Sequence, residues 1–308
     1  MQDKKEFMEL LEYAYYDAKF ENAYLRAKGD AFQTFFENLM TRAYKADFMP
    51  CRPWGNRGDR KNDGFLKSER RLFQVYAPNE MTELLAIKKI KEDFDGAKIN
   101  WGVHFDSWVF AHNAIDGLPP HVQKEILELE QKNPGIILEP WGFEEFRLLL
   151  QRISRADFES WFGYAPTLAT RAKLDFEDLR IVLENISLQY FANEHPVKDV
   201  PPGKIEANAL SPSIGQLLKE GMTKTLLVDE FFSKWHDPNF GERVADTFRA
   251  KYASLRNENL IPNQIFHDLQ AWAGGIQRGN AEHELAVLTV LSYYFERCDI
   301  FEEPRPQL

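Results

Sequence analysis

Only two cysteines, Cys51 and Cys298, occur in the chain, and they form no Cys-x-x-Cys pair. That count argues against a disulfide framework and a thiolate zinc site, and it suits a reducing cytoplasm. Runs of about 18 apolar residues, the length a membrane helix needs, are missing as well. The opening MQDKKEFMELLEYAYY has no apolar core followed by a small-residue cleavage site, so no secretory leader is expected. The seven histidines show no His-x-x-x-His or similar metal-ligand spacing. Gly-x-Ser-x-Gly, a phosphate-cradling glycine loop ending in Lys-Ser or Lys-Thr, and a dinucleotide fingerprint are all absent. Any ATP chemistry is therefore expected from another chain. Positive charge is short too: a net charge of −10 disfavours a protein that coats nucleic acid by itself.

What is there is ordinary for a globular protein, with 44% hydrophobic and 28% charged residues. A length of 308 residues gives room for two domains. The charge is uneven. Between Thr41 and Leu72, nine Lys or Arg stand against four acids, whereas from Pro201 onward 11 basic residues face 15 acidic ones. A basic stretch is commonly a solvated face; here it coincides with the most chemically suggestive part of the chain.

Helical spacing of Phe7, Leu10, Leu11, Tyr15, Ala18 and Tyr24-Leu25 predicts a helix over 3–27, stopped at Gly29. Asp30 opens a second helix with Phe32, Phe35, Phe36, Leu39 and Met40 on its buried stripe. Next come a hairpin, a helix over 81–93, a buried strand at Trp108–Asn113 and a helix from the Leu118-Pro119-Pro120 start to Gln131. A strand over 136–141 and a helix over 143–153 complete the half. Alternating helices and strands predict an α/β sandwich with a mixed central sheet. His112, alone at a strand end, reads as a hydrogen-bonded structural residue rather than a ligand or base. One more helix, 175–191, leads to the Pro-rich stretch His195–Gly203, where the domain boundary is expected. Beyond it, segments 214–220, 224–235, 240–255, 262–273 and 282–295 predict an all-α bundle of five helices. The expected division is 1–165, a connecting helix and linker over 166–203, and 204–308.

The chemistry concentrates between Arg52 and Pro78. Asp63-Gly64-Phe65-Leu66 opens a strand, Lys67 to Arg70 make a charged turn, and Arg71–Ala77 return as a second strand stopped by Pro78. Alternation puts Leu72, Gln74 and Tyr76 on one face and Phe73, Val75 and Ala77 on the other. A Gln amide in a buried strand needs a partner, and Asp63 is its natural neighbour across the hairpin. This hairpin resembles the core of the PD-(D/E)XK nuclease superfamily, above all its Mrr-like restriction branch. There an Asp-Gly step opens one strand and a Gln-x-Lys or Glu-x-Lys follows on the next. Asp63-Gly64 and Gln74-Val75-Tyr76 stand at the matching places, and Phe36-Glu37 fits a Phe-Glu pair on the preceding helix. The chain departs from the pattern at Tyr76, where the family has lysine.

The resemblance implies a restriction-endonuclease-like fold and phosphodiester cleavage with Mg²⁺ or Mn²⁺. Asp63 would anchor the metal, since hard cations take oxygen ligands. Gln74 would give its carbonyl oxygen or orient the water, and Glu37 is either a supporting acid near Asp63 or an exposed helix acid. Tyr76 cannot stand in for a cation, being neutral near pH 7. Positive charge would come from Lys61, Arg60 or Arg71, and phosphate contact from Arg57, Arg60, Lys67, Arg70 and Arg71.

The end of the chain carries a second resemblance. Tyr293-Tyr294-Phe295-Glu296-Arg297-Cys298-Asp299-Ile300-Phe301-Glu302-Glu303-Pro304, with Ile261–Phe266 before it, is similar to the C-terminal domain of ABC three-component defence systems, of which the Lamassu-type systems are the best known. In that family a helical tail is fused to varied effector domains. It works beside an SMC-like ABC ATPase and a small middle protein. The two resemblances together imply a cytoplasmic effector nuclease acting on DNA, forming a homo-oligomer on activation. The alternative is a nuclease-like chain that has lost cutting and binds DNA or docks partners.

Overall fold

Five strands lie side by side in the order of their appearance: β1 Phe48–Pro50, β2 Gly64–Leu66, β3 Arg71–Tyr76, β4 Ser107–His112 and β5 Ile137–Trp141. The computed structural model describes residues 8–51, 61–187, 203–274, 280–297 and 299–303. Arg57, Arg60, Cys298 and all but the last residue of the Pro-rich stretch 195–203 lie outside them. β1, β2 and β3 form an antiparallel meander, while β4 and β5 run parallel to β3. The sheet is therefore mixed, as alternating hairpin and helix signals predict. β1 has no counterpart in the sequence reading, because three residues are too few to display a period of two.

Helices cover both faces. Helix α3, Glu83–Trp101, and α4, Pro120–Lys132, bury Ile90, Phe94, Val122 and Ile126 against Leu72, Trp108, Phe110 and Leu138. The sequence reading ends α3 at Asp93; the helix runs on because Phe94 and Ala97 continue its inward stripe. On the other face, α2, Asp30–Tyr44, and α5, Phe143–Leu148, bring Phe36 and Phe146 onto Phe73 and Trp141. Every residue of β4 is buried. A parallel strand covered on both faces has no polar side, hence the unbroken Trp108–Ala111 run. Gly29, at φ +50°, turns the chain from α1, Leu10–Arg26, into α2, and its N–H donates to Ala77 O at 2.6 Å.

By Cα proximity the chain divides into two units, Ala23–Asp157 and the remainder, so the division passes through α1. The second unit holds the first part of α1 and α6, Arg155–Phe162, from Phe158 onward, with α7, Leu168–Lys173, and α8, Phe176–Ser187. It continues with α9, Lys204–Ala207, α10, Pro212–Met222, and α11, Thr225–Lys234. α12, Phe240–Asn257, α13, Pro262–Gly274, and α14, Ala281–Glu296, complete it. α14 is the hub: His283 to Phe295 are all buried, as expected of a helix apolar on every side. α8, which the sequence reading assigns to the connecting segment, packs against α14 and α12. The start of α1 joins the same unit, with Asp17 bonded by the Ser213 hydroxyl and Glu21 taking bonds from Ser211 Oγ (2.8 Å) and Asn263 Nδ2 (2.6 Å). No described helix is long and apolar enough to cross a membrane.

Candidate active site

The site begins with a glycine. Gly64 pairs with Phe73 across the hairpin, and a Cβ there would lie 2.5 Å from the Phe48 ring and 3.3 Å from Phe36. Only glycine lets β2 lie this close to the aromatic layer. Asp63, one residue earlier, projects to the other face, where strand alternation also places Gln74. Its Oδ2 accepts the Gln74 Nε2–H at 2.6 Å and the Val75 N–H at 2.7 Å. Both side chains are buried, at 4% and 3% exposure. With its nitrogen engaged by Asp63, Gln74 has a buried Oε1 that no hydrogen-bond donor among the described residues reaches. The Asn62 Oδ1, immediately before Asp63, is likewise buried and without a partner among the described residues.

Tyr76 lies on the same face of β3, its ring 5.7 Å from Phe110. Burial raises its pKa, and the Asp93 carboxylate raises it further, so the phenol stays protonated. Asp93 sits in the inward stripe of α3 with its side chain fully buried, Lys61 Nζ 2.8 Å and Lys89 Nζ 2.9 Å away. Lys61 reaches it from a left-handed backbone position, φ +64°, with its stem across α3 at Gly96, where a Cβ would meet Lys61 Cγ at 2.7 Å. Lys61 and Lys89 thus both bring an ammonium group to the one buried carboxylate beneath Tyr76. Sequence reasoning missed Asp93 and Lys89. The signal was available: a carboxylate one turn after Ile90, within an apolar stripe, with a lysine four residues before it.

Other predicted residues lie elsewhere. Glu37 is half-buried on α2, the helix that packs on the opposite sheet face from Gln74, and Gln33 Nε2 reaches it at 3.5 Å. Arg71 shares the Phe73 face: its guanidinium lies 5.2 Å from the Trp141 ring centre and pairs with Glu69 (3.0 Å) and Glu139 (3.3 Å). Arg70 grips Asp106 through two bonds, at 2.6 and 3.2 Å. Lys67 is exposed in the same turn. The structure thus divides the basic stretch. Lys61 stands at the Asp63 end of the hairpin, and Lys67, Arg70 and Arg71 at its turn. Arg57 and Arg60 lie outside the described residues. Among the described residues, no group of three or more His, Cys, Asp or Glu side chains could hold a metal ion.

The closing motif of the chain is a clasp rather than a chemical site. Lys204, 2% exposed, donates from Nζ to Phe295 O and Ile300 O, both at 2.8 Å, and lies 4.6 Å from the Phe295 ring centre. Asn208 and the Glu302 backbone exchange two bonds, at 2.8 and 2.9 Å. Asp299 pairs with Arg249, which also binds Glu242 and Asp246 at 2.6 Å. Ile300 and Phe301 are buried.

Residues 177–302, from α8 through this clasp, match the family described as C-terminal domain 10 of the ABC-three component (ABC-3C) systems. The match supports a place for this chain in such a system, and with it partner subunits. No curated protein and no solved structure matches the chain.

Proposed function

We propose that the chain is the effector subunit of an ABC three-component defence complex of the Lamassu type, cleaving DNA when an SMC-like ABC ATPase and a small middle subunit activate it. The observation that carries this reading is the Asp63–Gln74 pair with its orphaned buried oxygen. An unsatisfied buried acceptor costs roughly 1–3 kcal/mol, and a polar group held that way points to something that binds there. The order of elements, a helix, an antiparallel meander and then helix-linked parallel strands, agrees with the restriction-endonuclease-like core that the hairpin resembles.

The donor set fits Mg²⁺ or Mn²⁺. Both ions take oxygen ligands, and Mg²⁺ is usually held by one or two carboxylates, keeping several waters and substrate phosphate oxygens around it. Asp63 and the Gln74 Oε1 would hold the ion. Bound there, the metal supplies a water of lowered pKa and offsets charge on the scissile phosphate. The chain's own residues do the rest: Val75 N–H and Gln74 Nε2–H fix the orientation of the Asp63 carboxylate, and Lys61 and Lys89 supply the cationic charge that Tyr76 cannot. The second reading, a DNA-binding or scaffold subunit without cutting activity, is favoured by Tyr76, whose protonated phenol stands where the family pattern has lysine.

Nicking of supercoiled plasmid with Mg²⁺ or Mn²⁺, by the partner-assembled complex, decides between them. Cleavage should vanish in Asp63→Ala. Tyr76→Phe should leave the rate within a few-fold if the phenol only packs, and lower it by about 10²–10³ if it donates to the reacting phosphate. No cutting by wild type in any assembly sinks the enzyme reading, as does undiminished cutting by Asp63→Ala.

A further inference from the structure

The carboxyl ends of β3, β4 and β5 lie side by side, and the connections leaving them part. The chain leaving β4 enters α4 on the Phe110 face; the chain leaving β5 enters α5 on the Phe73 face. In open α/β sheets a crevice forms where successive connections take opposite faces, and ligands bind there. This one encloses about 270 Å³ between Leu118, Pro140 and Phe143, with His112 and Glu145 among its polar groups. That suits a small ligand.

His112 has more to offer than the structural bond expected of it. Its Nδ1 accepts the Ala114 N–H at 3.2 Å, and burial pushes its pKa down to about 4, so the ring is neutral. With Nδ1 an acceptor, the single ring proton sits on Nε2. The side chain is 4% exposed, and among the described residues no protein acceptor takes that proton. Gly142 makes the room: a Cβ there would lie 3.2 Å from Nε2 and 2.8 Å from Cε1. Beside it stands Glu145, whose Oε2 takes the Gly142 N–H at 2.9 Å and whose charge acts on the imidazole. A fixed N–H next to a carboxylate matches a ligand with a ring acceptor beside an amino group. Adenine (N7 and N6) and cytosine (N3 and N4) present that pair.

A second cavity, of about 260 Å³, shares Ala114, Ile115 and Gly117 with the first and contains Lys28. Among the described residues no acid is paired with Lys28, and partial burial lowers its pKa. Asp116 stands on the same rim. The loop carrying Lys28 is pinned by the Gly29 N–H on Ala77 O and by Asn113 Nδ2 on Ala27 O at 3.3 Å. We propose that the double crevice is a ligand site for a mononucleotide with an amino-bearing base, the base on His112 and Glu145 and the phosphate on Lys28. The proposal does not rest on the nuclease reading, since neither Asp63 nor Gln74 lines either cavity.

Calorimetric titration of the full chain with AMP, CMP, IMP, UMP and adenosine tests it. AMP or CMP should bind, and IMP and UMP, which carry a carbonyl in place of the amino group, should bind at least about tenfold more weakly. His112→Asn keeps an oxygen for the Ala114 N–H but removes the Nε2 donor, and should weaken the nucleotide about tenfold. His112→Gln, which restores a nitrogen near Nε2, should retain the preference for the amino-bearing base. Lys28→Ala should weaken AMP and leave adenosine binding unchanged, and Asp63→Ala should leave the AMP affinity as it is. The proposal is overturned if neither AMP nor CMP gives heat at millimolar concentration. Equal affinity for IMP and AMP would overturn it too, as would full AMP affinity in folded His112→Asn and Lys28→Ala.

Discussion

Asp63 and Gln74 hold each other, and that arrangement decides what each can still do. A bond of 2.6 Å commits the Gln74 nitrogen and leaves its oxygen as the free valence. His112 shows the same division, one ring nitrogen structural and the other left over. Its depressed pKa also makes a stability claim. An ordinary histidine titrates near 6.5, so between that value and about 4 the unfolded chain takes up a proton that the folded chain refuses. The contribution is fully present above pH 6.5 and is lost as pH falls toward 4, about 3 kcal/mol across the window. Thermal unfolding at pH 7.5 and 4.5 should show a smaller acid loss for His112→Gln than for wild type. Equal losses would mean the ring is not held neutral by burial.

Among the elements, α10 packs closely on α14. A Cβ at Gly221 would meet Leu288 O at 2.8 Å and the Ser292 side chain as well. In a solvent-facing helix, Gly→Ala gains roughly 1 kcal/mol of helix propensity. Here both obstacles belong to the buried face of α14, one of them backbone, so overpacking wins. Gly221→Ala should destabilise the helical unit by about 1–3 kcal/mol, a drop in unfolding midpoint readable by circular dichroism. A rise in the midpoint would show that the two helices move apart freely. Sequence patterning located α10 and α14, and the structure shows a capping residue at each start: Ser211 accepts from Ile214 N–H at 3.4 Å, and Asn280 from Glu282 N–H at 2.9 Å. The short β1 was illegible because three residues show no period, whereas the end of α3 is marked by Phe94, Ala97 and the capping Gly102, which the sequence reading passed over.

For the whole molecule, charge sets the expectation. The net charge is −10, and two arginines of the basic stretch are already engaged, Arg70 by Asp106 and Arg71 by Glu69 and Glu139. The isolated chain should therefore bind duplex DNA only weakly at physiological salt and should cut it slowly or not at all. Partner subunits that gather several copies would raise the local concentration of basic patches and the affinity with it. Fluorescence anisotropy across a salt series, with and without partners, measures this. Tight binding by the lone chain at about 0.15 M salt, the physiological range, would contradict it.

The sequence by itself determined the periodic elements, the mixed character of the sheet, the helical C-terminal half and the pairing of Asp63 with Gln74. Each rests on short-range regularity: side-chain periods of 2 and 3.6, a glycine or proline at a turn, or two residues facing each other across a four-residue turn. Only the tertiary structure decided where the cations of the hairpin go. It placed Lys61 on Asp93 and turned Arg71 toward Trp141, a choice made by strand parity and by the bare backbone of Gly96 together. It also opened the crevice beside His112, by sending α4 and α5 to opposite faces of the sheet. Contacts between residues 30 or more apart carry no local signature, because burial and charge pairing select them only once the sheet and its helices have closed.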